Sequence, residues 1–211
     1  AVTIGGLFNG EGPVVQIKPG KGSPYQLPHN KPAIYHGPLI VMIDRQSASA
    51  SEILAGAIKD YKRGLILGDS HTFGKGTVQS LIDLTPQLGA IKVTISKFYR
   101  PLGSSTQLKG VGSDIVLPSL TDKMEIGEKF YETAVPWDTV KPAKVTNFKM
   151  IKPYLETLQT SHEKRMKTDS LFEKVHESIA TFEKTKKDRI KISMGSFTDD
   201  EVIVIIEPPP L

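Results

Sequence analysis

The 211-residue chain contains no cysteine, a single tryptophan and no uninterrupted apolar run near the roughly 18 residues of a membrane-span candidate. Without cysteine there can be no disulfide framework and no thiolate-bound zinc. The five histidines, His29, His36, His71, His162 and His176, stand at no metal-ligand spacing, so no metal site is expected. A strong charge bias is also lacking. The formal net charge is +4; residues 1–121 hold 12 Lys/Arg against 7 Asp/Glu, and residues 122–211 hold 15 against 16. This excess is sparse and has no interleaved aromatics, which excludes a basic nucleic-acid face. Lys184-Thr185-Lys186-Lys187 reads as a helix end whose charge suits the helix dipole. No internal repeat is found.

What is present is concentrated between Pro38 and Gln79. Leu39 to Ile43 is a short continuous apolar run that predicts a buried strand, and Asp44 to Ser47 supply turn residues. Ile53, Leu54, Ala57, Ile58 and Tyr61 recur at helical spacing until Arg63-Gly64 closes the helix and Leu65-Ile66-Leu67 opens a second buried strand. This is a strand-helix-strand crossover, and a serine at its first turn lies beside unpaired helix N–H groups that can stabilise an oxyanion. Taken alone, Ser49-Ala50-Ser51-Glu52 is a capping box that needs no chemistry, and Lys75 is a loop lysine between two glycines. Gly68 to Gly76 fails the phosphate-loop pattern, because the spacing is one residue too long and Gly76 follows the lysine where Ser or Thr is required. His71, in Asp69-Ser70-His71-Thr72, is a conceivable base for a Ser-His-Asp triad but reads better as a loop histidine.

Asp44-Arg45-Gln46-Ser47-Ala48-Ser49-Ala50-Ser51-Glu52-Ile53, Asp60-Tyr61, Gly68 and Thr72-Phe73-Gly74-Lys75-Gly76-Thr77-Val78-Gln79 follow one another in order. Lys97-Phe98-Tyr99-Arg100, Ser104-Ser105-Thr106-Gln107, Lys109-Gly110-Val111, Asp114-Ile115, Gly127-Glu128-Lys129-Phe130 and Pro136-Trp137-Asp138 continue the series. Together these blocks resemble the carboxy-terminal processing peptidases, particularly their tail-specific protease branch. The resemblance implies a serine endopeptidase with a Ser/Lys dyad on an α/β core of crotonase/Clp-like architecture. It puts the nucleophile on Ser49, the general base on Lys75, the residue that orients the base on Gln79, and an oxyanion donor on the Ala50 backbone N–H. Asp60 matches an acidic position with a supporting role, since an aspartate on a helix surface is commonly only solvated. A lysine takes the serine proton only as the neutral amine, which burial beside Phe73 favours. No cofactor is implied.

The partner implied by the resemblance is a protein or peptide chain recognised near its carboxyl terminus, in the periplasm or cell envelope, with membrane association only through the parent protein. The family's D-L-R-x-N-G-G-G motif and PDZ domain do not occur in this sequence. The expectation is therefore the C-terminal part of a longer protease, inactive by itself and prone to self-association at exposed apolar surface. Two alternatives stand beside it: a noncatalytic peptide-binding relative of the same fold, and an adaptor-like module made by the C-terminal helices.

Residues 1–121 are read as the C-terminal part of the catalytic core, 122–147 as an irregular connection and 148–211 as a mainly helical accessory region. Between residues 9 and 37, only Val14 to Ile17 is a clear strand in Gly- and Pro-rich text. Thr77 to Leu84 and Ile91 to Tyr99 predict a hairpin that carries Gln79 close to the base. Leu171, Phe172, Val175, Ile179 and Phe182 mark one apolar helix face, and Pro153-Tyr154-Leu155 opens the helix before it. Ile190 to Met194 and Val202 to Ile206 are candidate strands ahead of Pro208-Pro209-Pro210.

Overall fold

The computed structural model describes residues 1–85 and 87–187, so the two candidate strands after Lys187 and the proline tail lie outside the described residues. The predicted crossover is present: β3 (Ile40–Ile43) leads into α2 (Ala50–Asp60) and β4 (Leu65–Gly68), and β3 and β4 pair in parallel with Ile40 opposite Leu65. A two-residue strand, β7 (Ile115–Val116), adds to the far edge of β4. The apolar face of α2 packs on this sheet, where Ile43, Ala55, Ile58, Ile66 and Val111 form a buried cluster flanked by Phe8, Leu39, Val41 and Leu54. Full burial of an Ile or Val side chain in this cluster contributes about 1.5–3 kcal/mol. The expectation of a fully buried β3 is corrected: Ile40 is 56% and Met42 72% exposed, because β3 is an edge and only alternate side chains face α2.

The other sheet is antiparallel, in the order β2-β1-β6-β5. Its strands are β1 (Gly12–Pro19), β2 (Tyr25–His29), β5 (Thr77–Asp83) and β6 (Ala90–Tyr99). The β5/β6 hairpin matches the sequence reading, with a break in register between Val78 and Gln79. Three elements were not read from the sequence: α1, β2 and the short β7. Helix α1 (Val2–Asn9) carries two glycines and no side-chain cap, and β2 carries Pro28; both lower local propensity, and packing of α1 on α2 and of β2 on β1 overrides it.

Beyond β7 the chain is irregular, as expected, apart from short 3₁₀ turns at Thr121–Lys123 and Glu128–Phe130. Helices α3 (Leu155–Thr168) and α4 (Ser170–Lys187) then pack on each other. Buried His162 on α3 donates from Nε2 to Val116 O at 3.0 Å and meets Phe172 edge-on, which docks the helical pair against the parallel sheet. Leu171 departs from the predicted apolar face and is 67% exposed, because α4 starts only one residue earlier.

Candidate active site

Two local devices shape the turn that carries Ser49. Asp44 Oδ1 accepts from the backbone N–H groups of Gln46 (3.0 Å) and Ser47 (2.7 Å) and from Ser47 Oγ (2.8 Å), which closes the strand end. The chain then reaches Ser49 with φ 56° and ψ −107°, a conformation that costs a non-glycine residue about 1–3 kcal/mol and gathers at functional turns. Ser49 is the N-cap of α2. The capping-box reading therefore holds, and it is compatible with a strained serine at a sharp strand-to-helix turn. Ala50, next in sequence, has a backbone N–H without a partner among the described residues. Such an orphan donor beside a serine hydroxyl suits an oxyanion.

Glu52 holds this turn to the loop that bears Lys75. Its carboxylate is fully buried and accepts four hydrogen bonds. Oε2 takes the N–H of Ser49 at 2.8 Å and of Lys75 at 2.9 Å, while Oε1 takes Thr72 Oγ1 at 2.6 Å and Gly74 N–H at 2.7 Å. Two donors that share one oxygen lie no farther apart than those two bonds allow, so the backbones of Ser49 and Lys75 are adjacent. Burial pushes the Glu52 pKa up, and the hydrogen bonds from Thr72, Ser49, Gly74 and Lys75 oppose that shift. Sequence reading saw only the capping half of this residue, because the reach from Glu52 to Thr72, Gly74 and Lys75 spans 20 or more positions.

The lysine loop is fixed on both sides. Phe73 N–H donates to Ser47 O at 2.9 Å, Leu108 N–H to Gly74 O at 2.8 Å, and Gly76 N–H to Gln107 Oε1 at 2.8 Å. Both flanking glycines are required: Gly74 has φ +93°, and a Cβ on Gly76 would lie 2.7 Å from Gln107 N. The backbone is held by these hydrogen bonds, while the half-buried Lys75 side chain has no hydrogen-bond or ion-pair partner among the described residues and shares no hydrogen bond with Ser49. It lines a cavity of about 450 Å³ together with Ala48, Phe73, Thr77 and Gln79. The register break beside Gln79 helps to aim its exposed side chain at this space.

Asp60 is not solvated as the sequence reading supposed. It is 6% exposed, forms an ion pair with Arg100 and accepts Leu102 N–H at 2.9 Å, so it fixes the chain after β6 from the far end of α2. His71 belongs to a different cluster. Its ring receives the buried Arg45 guanidinium, which also donates to Thr72 O at 3.1 Å and to Ile126 O, and Asp122 stands 3.8 Å from Arg45 Nε. Desolvation, with Arg45 and Lys129 adding to it, pushes the His71 pKa below its ordinary 6.5. The unfolded chain therefore takes up this proton first as pH falls, and the stability associated with neutral His71 is present above pH 6.5 and is lost below it. Denaturant unfolding at pH 7.5 and 5.5 should show wild type losing more stability than His71→Asn. An equal loss in both would exclude this linkage.

The geometry can be set beside known proteins. The sequence profile of peptidase family S41 matches residues 1–117, more than half of the chain. The chain belongs to peptidase family S41. The C-terminal domain of tail-specific protease matches residues 121–194, which include the segment facing Lys75 across the cavity. The tail-specific protease of Haemophilus influenzae is 40% identical over 211 aligned residues, covering 92% of this chain and 29% of that protein. The chloroplastic C-terminal processing peptidase of Tetradesmus obliquus is 48% identical over 80 residues, 38% of this chain and 17% of the relative. Among solved structures, a photosystem II D1 C-terminal processing protease is similar at a TM-score of 0.50 and 37% identity, over 55% of this chain and 30% of that one. The S41 chain thus spans less than a third of the length of these relatives. Among its described residues no helix is long and apolar enough to cross a membrane.

Proposed function

We propose that this chain carries the Ser/Lys dyad of a serine endopeptidase of the C-terminal processing type, with Ser49 as nucleophile and Lys75 as general base. The observation that carries this reading is the shared Glu52 oxygen, which seats the Ser49 and Lys75 backbones side by side at a strained turn. Neutral Lys75 takes the Ser49 proton as the hydroxyl oxygen attacks the peptide carbonyl. Ala50 N–H meets the developing oxyanion, and the lysine returns its proton to the leaving amine. Water then attacks the acyl-serine, and the same amine accepts its proton. Gln79 orients the lysine from β5, and Asp60 supports the frame through Arg100 and Leu102. The substrate is a protein chain cleaved near its carboxyl terminus in the cell envelope. Recognition of that terminus and a second oxyanion donor are assigned to parts of the whole protein other than these 211 residues.

The choice of base is tested in a full-length protein that carries this chain. Lys75→Arg should be inactive, because a guanidinium stays charged at any accessible pH and accepts no proton. His71→Ala should retain most of its activity, since its ring sits with Arg45 and Thr72 O. Activity lost in His71→Ala and kept in Lys75→Arg would assign the base to the histidine instead.

A further inference from the structure

We propose that Arg45 is a positioning residue for the dyad, holding the Ser49 turn, the Lys75 loop and residues 121–128 on one buried guanidinium, and that proton uptake by His71 weakens this hold in mild acid. Turnover then falls for a reason separate from the protonation of Lys75. The inference rests on the assignment of Ser49 and Lys75 as the dyad, but its structural part is measured without turnover.

Arg45 lies four residues before Ser49 and is buried. Its backbone N–H donates to Asp69 Oδ2 at 2.7 Å, which ties the start of the Ser49 turn to the end of β4. The guanidinium then serves two further stretches of chain. Nη1 donates to Thr72 O at 3.1 Å, three residues before Lys75, and Nη2 donates to Ile126 O, in the region matched by the tail-specific protease C-terminal domain. Phe73 repeats the connection beside it: its N–H donates to Ser47 O at 2.9 Å, and its carbonyl accepts from Glu128 N–H at 3.0 Å. Gly127 permits the close approach, since its φ is +140° and a Cβ there would lie 2.9 Å from Arg45 Nη2. A planar fork of donors fits these divergent carbonyls, and the single ammonium of a lysine does not.

His71 supplies the proton sensitivity. Its Nδ1 meets Thr72 O at 2.8 Å and so carries the hydrogen, which leaves Nε2 as the acceptor for Arg45 Nη1 at 2.8 Å. A proton added at Nε2 turns that acceptor into a donor facing a donor. The charged groups around the pair come from several elements: Lys129 and Asp122 from the accessory segment, Asp69 from the loop of His71 itself, and Glu52 from α2. Lys59 stands behind Gly112, the residue bridged to His71, and is paired there with Asp114. Asp122 and Asp69 already hold donors of their own: Asp122 takes Ser70 N–H at 2.9 Å and Ser70 Oγ at 2.6 Å, and Asp69 takes Arg45 N–H and Thr121 Oγ1. Burial, with Arg45 and Lys129 adding to it, keeps the ring neutral until the pH is below 6.5. Above that pH the guanidinium has its full set of acceptors.

The test compares wild type with His71→Asn, whose amide oxygen accepts from Arg45 but does not titrate, in a full-length protein that carries this chain. Amide hydrogen exchange, corrected for the intrinsic effect of pH, is read at Phe73 and Glu128, the two N–H groups that join the loop to the turn and to the accessory segment. Between pH 7.5 and about pH 5, wild type should lose protection there by about 10-fold or more, the scale of one hydrogen bond to a charged group, and His71→Asn should lose much less. Steady-state kinetics follow the same pair. The ratio of wild-type to His71→Asn kcat should be close to one at pH 7.5 and fall below it in acid, since the acid limb contributed by Lys75 is common to both proteins and cancels. Arg45→Lys should lower kcat by about 10-fold or more at pH 7.5 with KM changed less, and adding His71→Asn should then leave the pH profile as it is. If Arg45→Lys does not fold, the His71→Asn comparison decides alone. Protection in wild type that is independent of pH, equal pH dependence in wild type and His71→Asn, or wild-type kcat in folded Arg45→Lys would overturn the proposal. Failure of the dyad assignment would look different: cleavage would survive Ser49→Ala, and the exchange result would stand.

Discussion

Replacing Ser49 by alanine in a full-length protein that carries this chain should lower kcat by roughly 10⁴- to 10⁶-fold, and adding Lys75→Ala should lower it little further. The two residues act as a unit. Without the hydroxyl the lysine has nothing to deprotonate, and without the amine the hydroxyl remains a weak nucleophile. Additive losses in the double variant would mean that the lysine acts independently of the serine. Substantial turnover by purified Ser49→Ala would remove the assignment altogether. Denaturant midpoints should change little for Lys75→Ala, since the fixed part of Lys75 is its backbone and its side chain has no partner among the described residues.

Glu52→Ala should destabilise the fold by at least about 1–3 kcal/mol, the cost of leaving even one buried donor without its acceptor. It leaves four donors facing an apolar interior: Ser49 N–H, Lys75 N–H, Gly74 N–H and Thr72 Oγ1. Glu52→Gln keeps the shape but turns one acceptor oxygen into a donor, so one pair of bonds fails whichever way the amide lies. If the pair on Ser49 and Lys75 is lost, kcat falls while KM changes less, because the reacting groups move and the cavity walls remain. Urea unfolding and steady-state kinetics on Glu52→Gln check both parts. Full stability together with unchanged kcat would show that the shared oxygen positions nothing.

Much of the core was legible because it is local. The Leu39–Ile43 run, the helical spacing from Ile53 to Tyr61 and the Leu65–Leu67 run give the crossover by periodicity alone, and the two strands around Thr85 to Gly89 give the hairpin. The elements that escaped have weak local signals. Helix α1 has no cap and β2 contains a proline, and each is held by contacts with partners distant in sequence or across a turn. Leu171 and Met42 were misplaced for a related reason: periodicity shows that a face is apolar, but the neighbouring element decides which apolar residues are covered.

The candidate site divides in the same way. Ser49, Ala50, Lys75, Gln79 and Asp60 were named through the family resemblance, which the ordered blocks of the sequence carry. The ordinary readings of Glu52 as a cap, Asp60 as a solvated surface residue and Lys75 as a loop lysine were equally consistent with those blocks. Sequence determined the strand-helix-strand unit, the N-cap serine and the glycines around Lys75, because backbone propensity and side-chain period act within a few residues. Tertiary structure alone decided that one Glu52 oxygen joins Ser49 to Lys75, that Asp60 pairs with Arg100, and that Tyr131, Thr133, Ala134 and Val135 line the cavity beside Lys75. Those contacts join positions 23, 40 and more than 50 apart, and only the packing of sheets, loops and accessory segment brings them within reach.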